Sequence, residues 1–371
     1  MKKMLLAAGV AIASCTLPLD AKAASFTGLT VLGDSLADSG NLFNLTSALS
    51  VFGVPALPPS PPYAQRNSNG PIWIDNVGQA LGLSPTLITD LLLDPTTPPP
   101  TQGINFAFAG SLSSDIHILD DDLPLFADLF PGFQDQIDTF TELAAVVPPD
   151  PNALYVIWVG ANDYNEAFFS PATLGGRSLD QLPDFVTDNI IDGLAQLSSL
   201  GANEFLVANL PPIGEAPFAD FLDNQTPQDI STQLNQLSAV HNELLATKLS
   251  DFSQRQPDTN IISLDINSLF VDVLADPGAF GLTNVTDSCL TNFQPGFQFD
   301  GVCDNPDEFL FWDDVHPTEA AYQLVSDLAL ATLNEDEPPA GVPEPSSLAA
   351  LLGMGLMFLR TLSLSKTNSP Q

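Results

Sequence analysis

The chain has 371 residues, of which 44% are hydrophobic, and its 45 acidic and 9 basic residues give a formal net charge of −36. This length and apolar content predict a folded protein with a sizeable core. The large negative charge argues against nucleic acid and anionic lipid surfaces as partners. It suits a protein that works outside the cell.

The first residues have the pattern of a secretory signal peptide, which we place at 1–23. Two lysines precede an apolar run at 4–13, and two alanines supply the small residues that precede a cut before Ala24. We therefore expect an exported protein. An alternative is lipoprotein processing, because residues 12–15 resemble a lipoprotein cleavage box with Cys15 as the lipid acceptor.

Strand-like and helix-like segments alternate from Phe26 onward, between proline-rich loops at 57–62 and 94–101. We predict strands at 29–32, 103–111, 153–160, 204–210 and 261–265, and helices at 71–81, 133–147, 179–200, 227–254 and 317–333. Such alternation favours parallel strands joined by helices, and so a single doubly wound α/β domain over residues 24–335.

A glycine breaks the first predicted strand sharply at Gly33-Asp34-Ser35. The turn would set the Ser35 hydroxyl at the carboxyl end of the strand, where open α/β sheets bind their ligands. Ser35 is therefore a candidate nucleophile. A serine hydroxyl needs a base and an oxyanion site to react, so the rest of the chain must supply both.

The three histidines are the candidates for the base. Asp313 precedes His316 by three positions, a spacing that in a turn brings a carboxylate toward the imidazole. A carboxylate that accepts the Nδ1 proton leaves Nε2 free to take the serine proton. Asp314 is the neighbouring alternative. We expect His241 at a helix surface or core edge, and His117 in a solvated loop.

Donors for an oxyanion should come from strand ends near the candidate nucleophile. Asn162 follows the predicted strand at 153–160 and offers a side-chain amide. Gly110 ends the predicted strand at 103–111 and offers a backbone N–H with no side chain in the way. The backbone N–H of Ser35 is the third candidate.

These motifs, in this order, resemble the four conserved blocks of the GDSL, or SGNH, hydrolase family over roughly residues 26–333. They are Gly33–Leu36, Asn105–Ser111, Gly160–Asp163 and Asp313–His316. The second block departs from the family, whose members often have Gly-Gly where this chain has Ala109-Gly110. The resemblance implies a flavodoxin-like α/β/α three-layer sandwich with a central parallel sheet.

The resemblance also implies hydrolysis of carboxylic esters through an acyl-enzyme, without a metal or organic cofactor. It gives Ser35 the role of nucleophile, His316 that of base and Asp313 that of orienting carboxylate. Gly110 and Asn162, with the Ser35 N–H, would be the oxyanion donors. The substrate would be a lipid, a small acyl ester or an acylated polysaccharide.

Two cysteines, Cys289 and Cys303, share a Gly-, Asn- and Pro-rich stretch near the end of the predicted domain. In an exported protein such a pair can be oxidised, so we expect a disulfide in preference to a metal site.

The C-terminal end has the features of a sorting signal. An acidic linker at 336–341 precedes Val342-Pro-Glu-Pro345, an apolar run at 348–359 and Arg360. Residues 342–371 resemble the PEP-CTERM signal of exported bacterial proteins, which implies an exosortase-type processing enzyme as a partner. As a helix the apolar run would rise about 18 Å, short of a hydrocarbon core of roughly 30 Å, so we expect a transient anchor.

Two classes of function are consistent with the sequence. One is an exported ester hydrolase, with carbohydrate acetylesterase or thioesterase activity as variants. The other is a catalytically silent surface or matrix interaction protein that keeps the fold. Phenylalanines in two groups either form an acyl-binding wall or belong to the core: Phe126, Phe130, Phe133, Phe168 and Phe169.

Overall fold

The computed structural model describes residues 26–169, 175–294 and 296–335, which form one compact unit. The expected signal peptide, linker and sorting signal lie outside these residues, as does Cys15. No helix within the described ranges is both long enough and apolar enough to cross a membrane.

A six-stranded sheet forms the centre of the domain, with all neighbouring strands parallel and in the order β2-β3-β1-β4-β5-β6. The strands are β1 (Leu29–Gly33), β2 (Thr86–Leu87), β3 (Ile104–Asn105), β4 (Leu154–Trp158), β5 (Glu204–Ala208) and β6 (Asn260–Leu264). Every residue of β1 and β4 is buried, as expected for parallel strands that are covered by helices on both faces.

Helices cover both faces of this sheet. They are α1 (Asn41–Leu49), α2 (Trp73–Leu81), α3 (Ile88–Leu93), α4 (Phe133–Ala144), α5 (Ala161–Phe169), α6 (Leu182–Ser199), α7 (Pro217–Gln225), α8 (Ile230–Arg255), α9 (Ile266–Ala275) and α10 (Glu319–Glu335). Helix α6 contacts both α4 and α8, and α10 contacts both α2 and α9. The α/β/α sandwich expected from the sequence is confirmed.

The structure departs from the predicted elements around the third strand. Only Ile104 and Asn105 are regular strand within the predicted 103–111. Beyond them the chain continues beside β1, because Phe106 and Phe108 donate backbone hydrogen bonds to β1 carbonyls, and then it turns. Helices α1, α3, α5, α7 and α9 were not predicted.

A small subdomain is formed by the chain between α9 and α10, and it contacts α7 and α10. Strand β7 (Asn284–Ser288) pairs in parallel with β10 (Phe309–Phe311), and β8 (Leu290–Thr291) pairs antiparallel with β9 (Gly301–Val302). A disulfide joins Cys289 to Cys303 and closes the hairpin of β8 and β9. We call residues 289–303 the disulfide loop.

Candidate active site

Ser35 stands in a tight turn at the carboxyl end of β1, where its side chain is largely buried. The turn depends on Gly33, whose φ is +152°. A Cβ at this position would lie 2.2 Å from the carbonyl oxygen of Trp158 on the neighbouring strand, so only glycine fits. The close approach of β1 and β4 thus sets the position of the serine.

A series of hydrogen bonds links Ser35, His316 and Asp313. The Nε2 of His316 is 2.8 Å from Ser35 Oγ, and its Nδ1 is 2.8 Å from Asp313 Oδ2. An ionised carboxylate only accepts hydrogen bonds, so Nδ1 carries the proton and Nε2 accepts from the serine. Asp313 Oδ1 also accepts the N–H groups of Val315 (3.0 Å) and His316 (2.8 Å), whereas the alternative carboxylate, Asp314, makes no hydrogen bond to the imidazole.

The electrostatics of the pair stabilise the imidazolium that forms when His316 takes up a second proton. Burial alone would lower the pKa of His316, but the charge of Asp313 and the hydrogen bond to it raise the pKa above its ordinary value. Burial would raise the pKa of Asp313, but the attraction and hydrogen bond of His316, with two backbone donors, hold it below its ordinary value. Asp313 therefore stays ionised and can stabilise an imidazolium.

Two backbone N–H groups that the sequence offers as oxyanion donors have no partner within the described residues. Among residues 26–169, 175–294 and 296–335, neither the Ser35 N–H nor the Gly110 N–H donates a hydrogen bond. Gly110 has a φ of +96°, and a Cβ there would lie 2.7 Å from Ile118 and 2.8 Å from the ring of His117. The conformation that frees this N–H therefore requires glycine.

Asn162 lies at the start of α5, directly after β4, and lines the same pocket as Ser35. Its Nδ2 donates to the Ser111 carbonyl (2.9 Å), which fixes the amide and leaves its second hydrogen for another acceptor. Asp163 accepts from the N–H (2.9 Å) and the hydroxyl (2.8 Å) of Ser113. The two neighbours thus tie the beginning of α5 to the loop that carries Gly110.

Sequence reasoning missed the buried carboxylate that links the serine turn to the Gly110 loop. Asp38 accepts hydrogen bonds from the N–H groups of Gly40 (2.7 Å), Leu42 (3.0 Å) and Ala109 (2.8 Å), among others. Burial raises the pKa of Asp38 while these donors oppose the rise. Its position just after the serine turn is the one sign of this role in the sequence. Its contact with Ala109 could not be predicted, because no local pattern indicates it.

Gln136 of α4 is a second polar support that sequence reasoning missed. Its side-chain amide accepts from the Gly33 N–H (2.9 Å) and donates to the Gly33 carbonyl (2.8 Å) and to Ser111 Oγ (2.9 Å). One buried side chain therefore contacts both the strand that leads to Ser35 and the loop after Gly110. Buried networks of this kind rigidify a site when every member is satisfied.

The other two histidines lie elsewhere than expected. His117 is buried and not in a solvated loop: its Nε2 is 2.7 Å from the Ala109 carbonyl, and burial lowers its pKa to about 4. His241 is fully buried as well, 2.9 Å from the Tyr164 hydroxyl, and burial lowers its pKa to about 3. Both are neutral near pH 7 and support the structure around the site.

A pocket opens beside Ser35 and His316 and encloses about 620 Å³ of empty space, counted out to its open mouth. Its apolar wall includes Pro211, Pro212, Ile213, Ala216, Phe270, Phe311 and Val315. Asn165 also lines it, and the Asn165 Oδ1 has no hydrogen-bond partner within the part of the chain that the structure describes. None of the five phenylalanines considered as an acyl-binding wall lines this pocket, so that interpretation is wrong here.

No group of three or more His, Cys, Asp or Glu side chains within the described ranges is arranged to hold a metal ion.

Comparison with known proteins places the chain in a family. The profile of the GDSL-like lipase/acylhydrolase family matches residues 29–329. Two GDSL esterase/lipases of Arabidopsis thaliana are 32% and 29% identical to the chain, each over 86% of it and over 92% and 85% of their own lengths. A crystal structure of an alpha/beta hydrolase enzyme from the metagenome of Lake Arreo, Spain, is 13% identical, covers 85% of this chain and 98% of its own, and has a TM-score of 0.43. The chain therefore belongs to the GDSL-like lipase/acylhydrolase family, and it is a hydrolase that acts on ester bonds.

Proposed function

We propose that the chain is a serine ester hydrolase that works through an acyl-enzyme at Ser35. One observation carries the proposal: the 2.8 Å contact between Ser35 Oγ and His316 Nε2, with Asp313 on the far side of the imidazole. In this arrangement His316 removes the serine proton as Oγ attacks the ester carbonyl carbon. Asp313 stabilises the imidazolium that results.

The attack turns the carbonyl oxygen into an oxyanion that needs donors. The N–H groups of Ser35 and Gly110 and the second amide hydrogen of Asn162 are the groups available for it. When the tetrahedral intermediate collapses, the imidazolium of His316 gives its proton to the leaving alcohol. Water then attacks the acyl-enzyme with His316 again as base, and the acid is released with Ser35 restored.

An active enzyme is a better explanation of these residues than a silent interaction protein. A buried imidazole and a buried carboxylate cost folding free energy unless they are paired, and an apolar pair of the same size would be cheaper. A binding module has no use for a serine hydroxyl that is hydrogen-bonded to a histidine, nor for Ser35 and Gly110 N–H groups that lack a partner within the described residues. We propose catalysis for this reason.

The pocket beside Ser35 supports a carboxylic ester with an apolar group as substrate. Its wall of proline, isoleucine, phenylalanine and valine side chains favours burial of hydrocarbon, at about 25 cal/mol per Å². Carbohydrate acetylesterase activity would require a smaller apolar surface in this pocket. A thioester substrate would use the same attacking serine.

Hydrolysis of p-nitrophenyl esters from acetate to laurate tests the proposal, with the full chain and its Ser35→Ala variant. We expect the variant to lose at least about 10³-fold in kcat, because the covalent step needs the hydroxyl. Ser39→Ala, four residues further along the chain, is the matched control and should keep its activity. An active Ser35→Ala enzyme, or a folded wild type without activity on any ester, would contradict the proposal.

We also propose export, with removal of residues 1–23 and processing near Val342–Pro345 by an exosortase-type enzyme. The support is the sequence pattern at both ends and the acidic composition. The intact mass of the protein recovered from a host with such an enzyme tests it. We expect a chain that begins at Ala24 and ends before the apolar run, and a chain that keeps that run after Pro343 and Pro345 are replaced by alanine. An unprocessed wild type would refute the proposal.

A further inference from the structure

We propose that Tyr63 is a positioning residue that holds Asp313 in its working orientation, and that the disulfide loop holds Tyr63. The inference rests on the function proposed above. The Tyr63 hydroxyl donates to Asp313 Oδ2 at 2.8 Å, across 250 positions of sequence. Tyr63 is only 3% exposed, and Asp313 only 1%. Tyr63 does not line the pocket beside Ser35, so it acts through another residue and does not touch the substrate.

The donors around Asp313 show what Tyr63 contributes. Its Oδ1 accepts two backbone N–H groups of its own turn, from Val315 and His316, and lies 2.9 Å from the imidazole Nδ1. Its Oδ2 faces the imidazole Nδ1 and, within the described part of the chain, accepts from one further group, the Tyr63 hydroxyl. This bond restrains rotation of the carboxylate and so keeps both of its oxygens against Nδ1. A buried carboxylate that loses a donor also loses stabilisation of its charge.

Tyr63 is a permanent donor. Burial, and next the negative charge of Asp313 and the hydrogen bond to it, raise the pKa of Tyr63 well above its ordinary value. The hydroxyl therefore keeps its proton at every pH at which an esterase is assayed, so the restraint on Asp313 does not depend on pH.

The disulfide loop packs against the ring of Tyr63. Phe297, inside the loop, meets that ring edge-on with centroids 5.5 Å apart, and Trp312 meets it edge-on at 5.9 Å. Tyr63, Trp312 and the buried Cys289 belong to one apolar cluster that is separate from the main core. The tyrosine ring is thus held between the loop and the residue that precedes Asp313.

The same loop also holds the backbone that leads to Asp313. The Cys289 N–H donates to the Phe311 carbonyl (3.0 Å), and the Leu290 N–H donates to the Trp312 carbonyl (2.9 Å). The bond between Cys289 and Cys303 closes the loop on this edge. The loop therefore supports Asp313 twice, through the ring of Tyr63 and through the main chain.

A specific electrostatic consequence distinguishes positioning from mere packing. Without the Tyr63 hydroxyl, the charge on Asp313 is less stabilised and attracts the proton of the His316 imidazolium more strongly. The pKa of His316 should then rise, and the acid limb of kcat/KM against pH should move to higher pH. If Tyr63 served only for packing, its replacement would leave the midpoint of this acid limb unchanged.

The experiment compares Tyr63→Phe with wild type in the full chain, on a p-nitrophenyl ester over pH 5 to 9. We expect kcat to fall about tenfold at neutral pH, KM to stay within about twofold, and the acid limb to shift upward by about half a pH unit. Tyr155→Phe is the matched control, since Tyr155 is also buried and its hydroxyl donates to a carbonyl, that of Asp150, at 3.0 Å. It should leave kcat and the pH profile unchanged.

Wild-type kcat in Tyr63→Phe, or a lower kcat with an unmoved acid limb, would overturn the inference. If Tyr63→Phe does not fold, Phe297→Ala is measured in the same way. This variant removes the half-buried ring that packs against Tyr63 and leaves the Tyr63 hydroxyl in place. We then expect a lower kcat with unchanged KM, and wild-type kcat would overturn the inference. Ser35→Ala run in parallel separates the two proposals: an active Ser35→Ala refutes the serine mechanism itself, whatever Tyr63→Phe does.

Discussion

Replacement of Asn162 by alanine isolates one group of the proposed oxyanion site. The Asn162 amide donates one hydrogen to the Ser111 carbonyl at 2.9 Å, so its orientation is fixed before substrate arrives. Loss of one such preorganised donor lowers kcat by about 10²- to 10³-fold, or roughly 2.7–4 kcal/mol of transition-state stabilisation. KM should change little, because the donor meets the charged oxygen that forms only as Ser35 attacks.

The Asn162→Ala substitution should lower the stability of the protein much less than its activity. The Ser111 carbonyl loses a neutral hydrogen bond worth about 1 kcal/mol, which lowers Tm by a few degrees in a domain of this size. The N–H groups of Ser35 and Gly110 remain in the variant. Asn162→Ala should therefore keep more activity than Ser35→Ala.

Steady-state kinetics on p-nitrophenyl butyrate, together with thermal unfolding, measure both effects. Asn224→Ala is the matched control, because Asn224 also lies on a helix and its amide also donates to a carbonyl, that of Asp220, at 2.8 Å. We expect wild-type kcat for this control. A kcat of Asn162→Ala within threefold of wild type would refute the assignment of the amide to the oxyanion.

Three further predictions concern the same region. Gly110→Ala should lower kcat by about 10²-fold and also lower Tm, since a Cβ at φ +96° would lie 2.7 Å from Ile118 and 2.8 Å from His117; an unchanged kcat would contradict this. The kcat/KM of the wild type should rise with pH along a single acid limb whose midpoint lies above 6.5, because the pKa of His316 is raised; a midpoint at or below 6.5 would refute it. Burial raises the pKa of Asp34 to about 7, so the folded state binds its proton more tightly than the unfolded state and loses stability as pH rises toward 7. Asp34→Asn should therefore change Tm, relative to wild type, more favourably at pH 8 than at pH 5, and equal changes at both pH values would contradict the assignment.

Elements with strong periodicity could be predicted from the sequence. The apolar run expected as a strand at 153–160 is β4, and the helices expected at 179–200 and 227–254 correspond to α6 and α8 with shifted ends. Local signals are sufficient there because burial on both faces of a strand, or on one face of a long helix, leaves a pattern in the sequence itself.

Elements that depend on distant partners could not be predicted. The segment after Asn105 has the composition of a strand, yet it turns away because Asp38 and Asn41 form hydrogen bonds with its backbone. Asn41 is the first residue of α1, and Asp38 accepts the N–H groups of the first two residues of that helix. Such contacts join positions about 70 apart, and a single sequence carries no sign of them.

The candidate site shows the same division. The motifs place Ser35, Asp313 and His316 at strand ends or turns, and the structure brings the three within hydrogen-bond distance of one another in series. The support of Asp313 by Tyr63 joins positions 250 apart and follows only from the folded chain. Contacts between site residues that are distant in the sequence therefore could not be predicted from the sequence alone.

Covalent labelling tests the central claim most directly. The full chain is treated with a fluorophosphonate, and the adduct is located by intact mass and peptide mapping. The mechanism predicts a single adduct on Ser35, together with complete loss of esterase activity, and little labelling of the His316→Ala variant, because the hydroxyl then lacks its base. An adduct on another residue, or an active enzyme that Ser35-directed reagents leave untouched, would contradict the account.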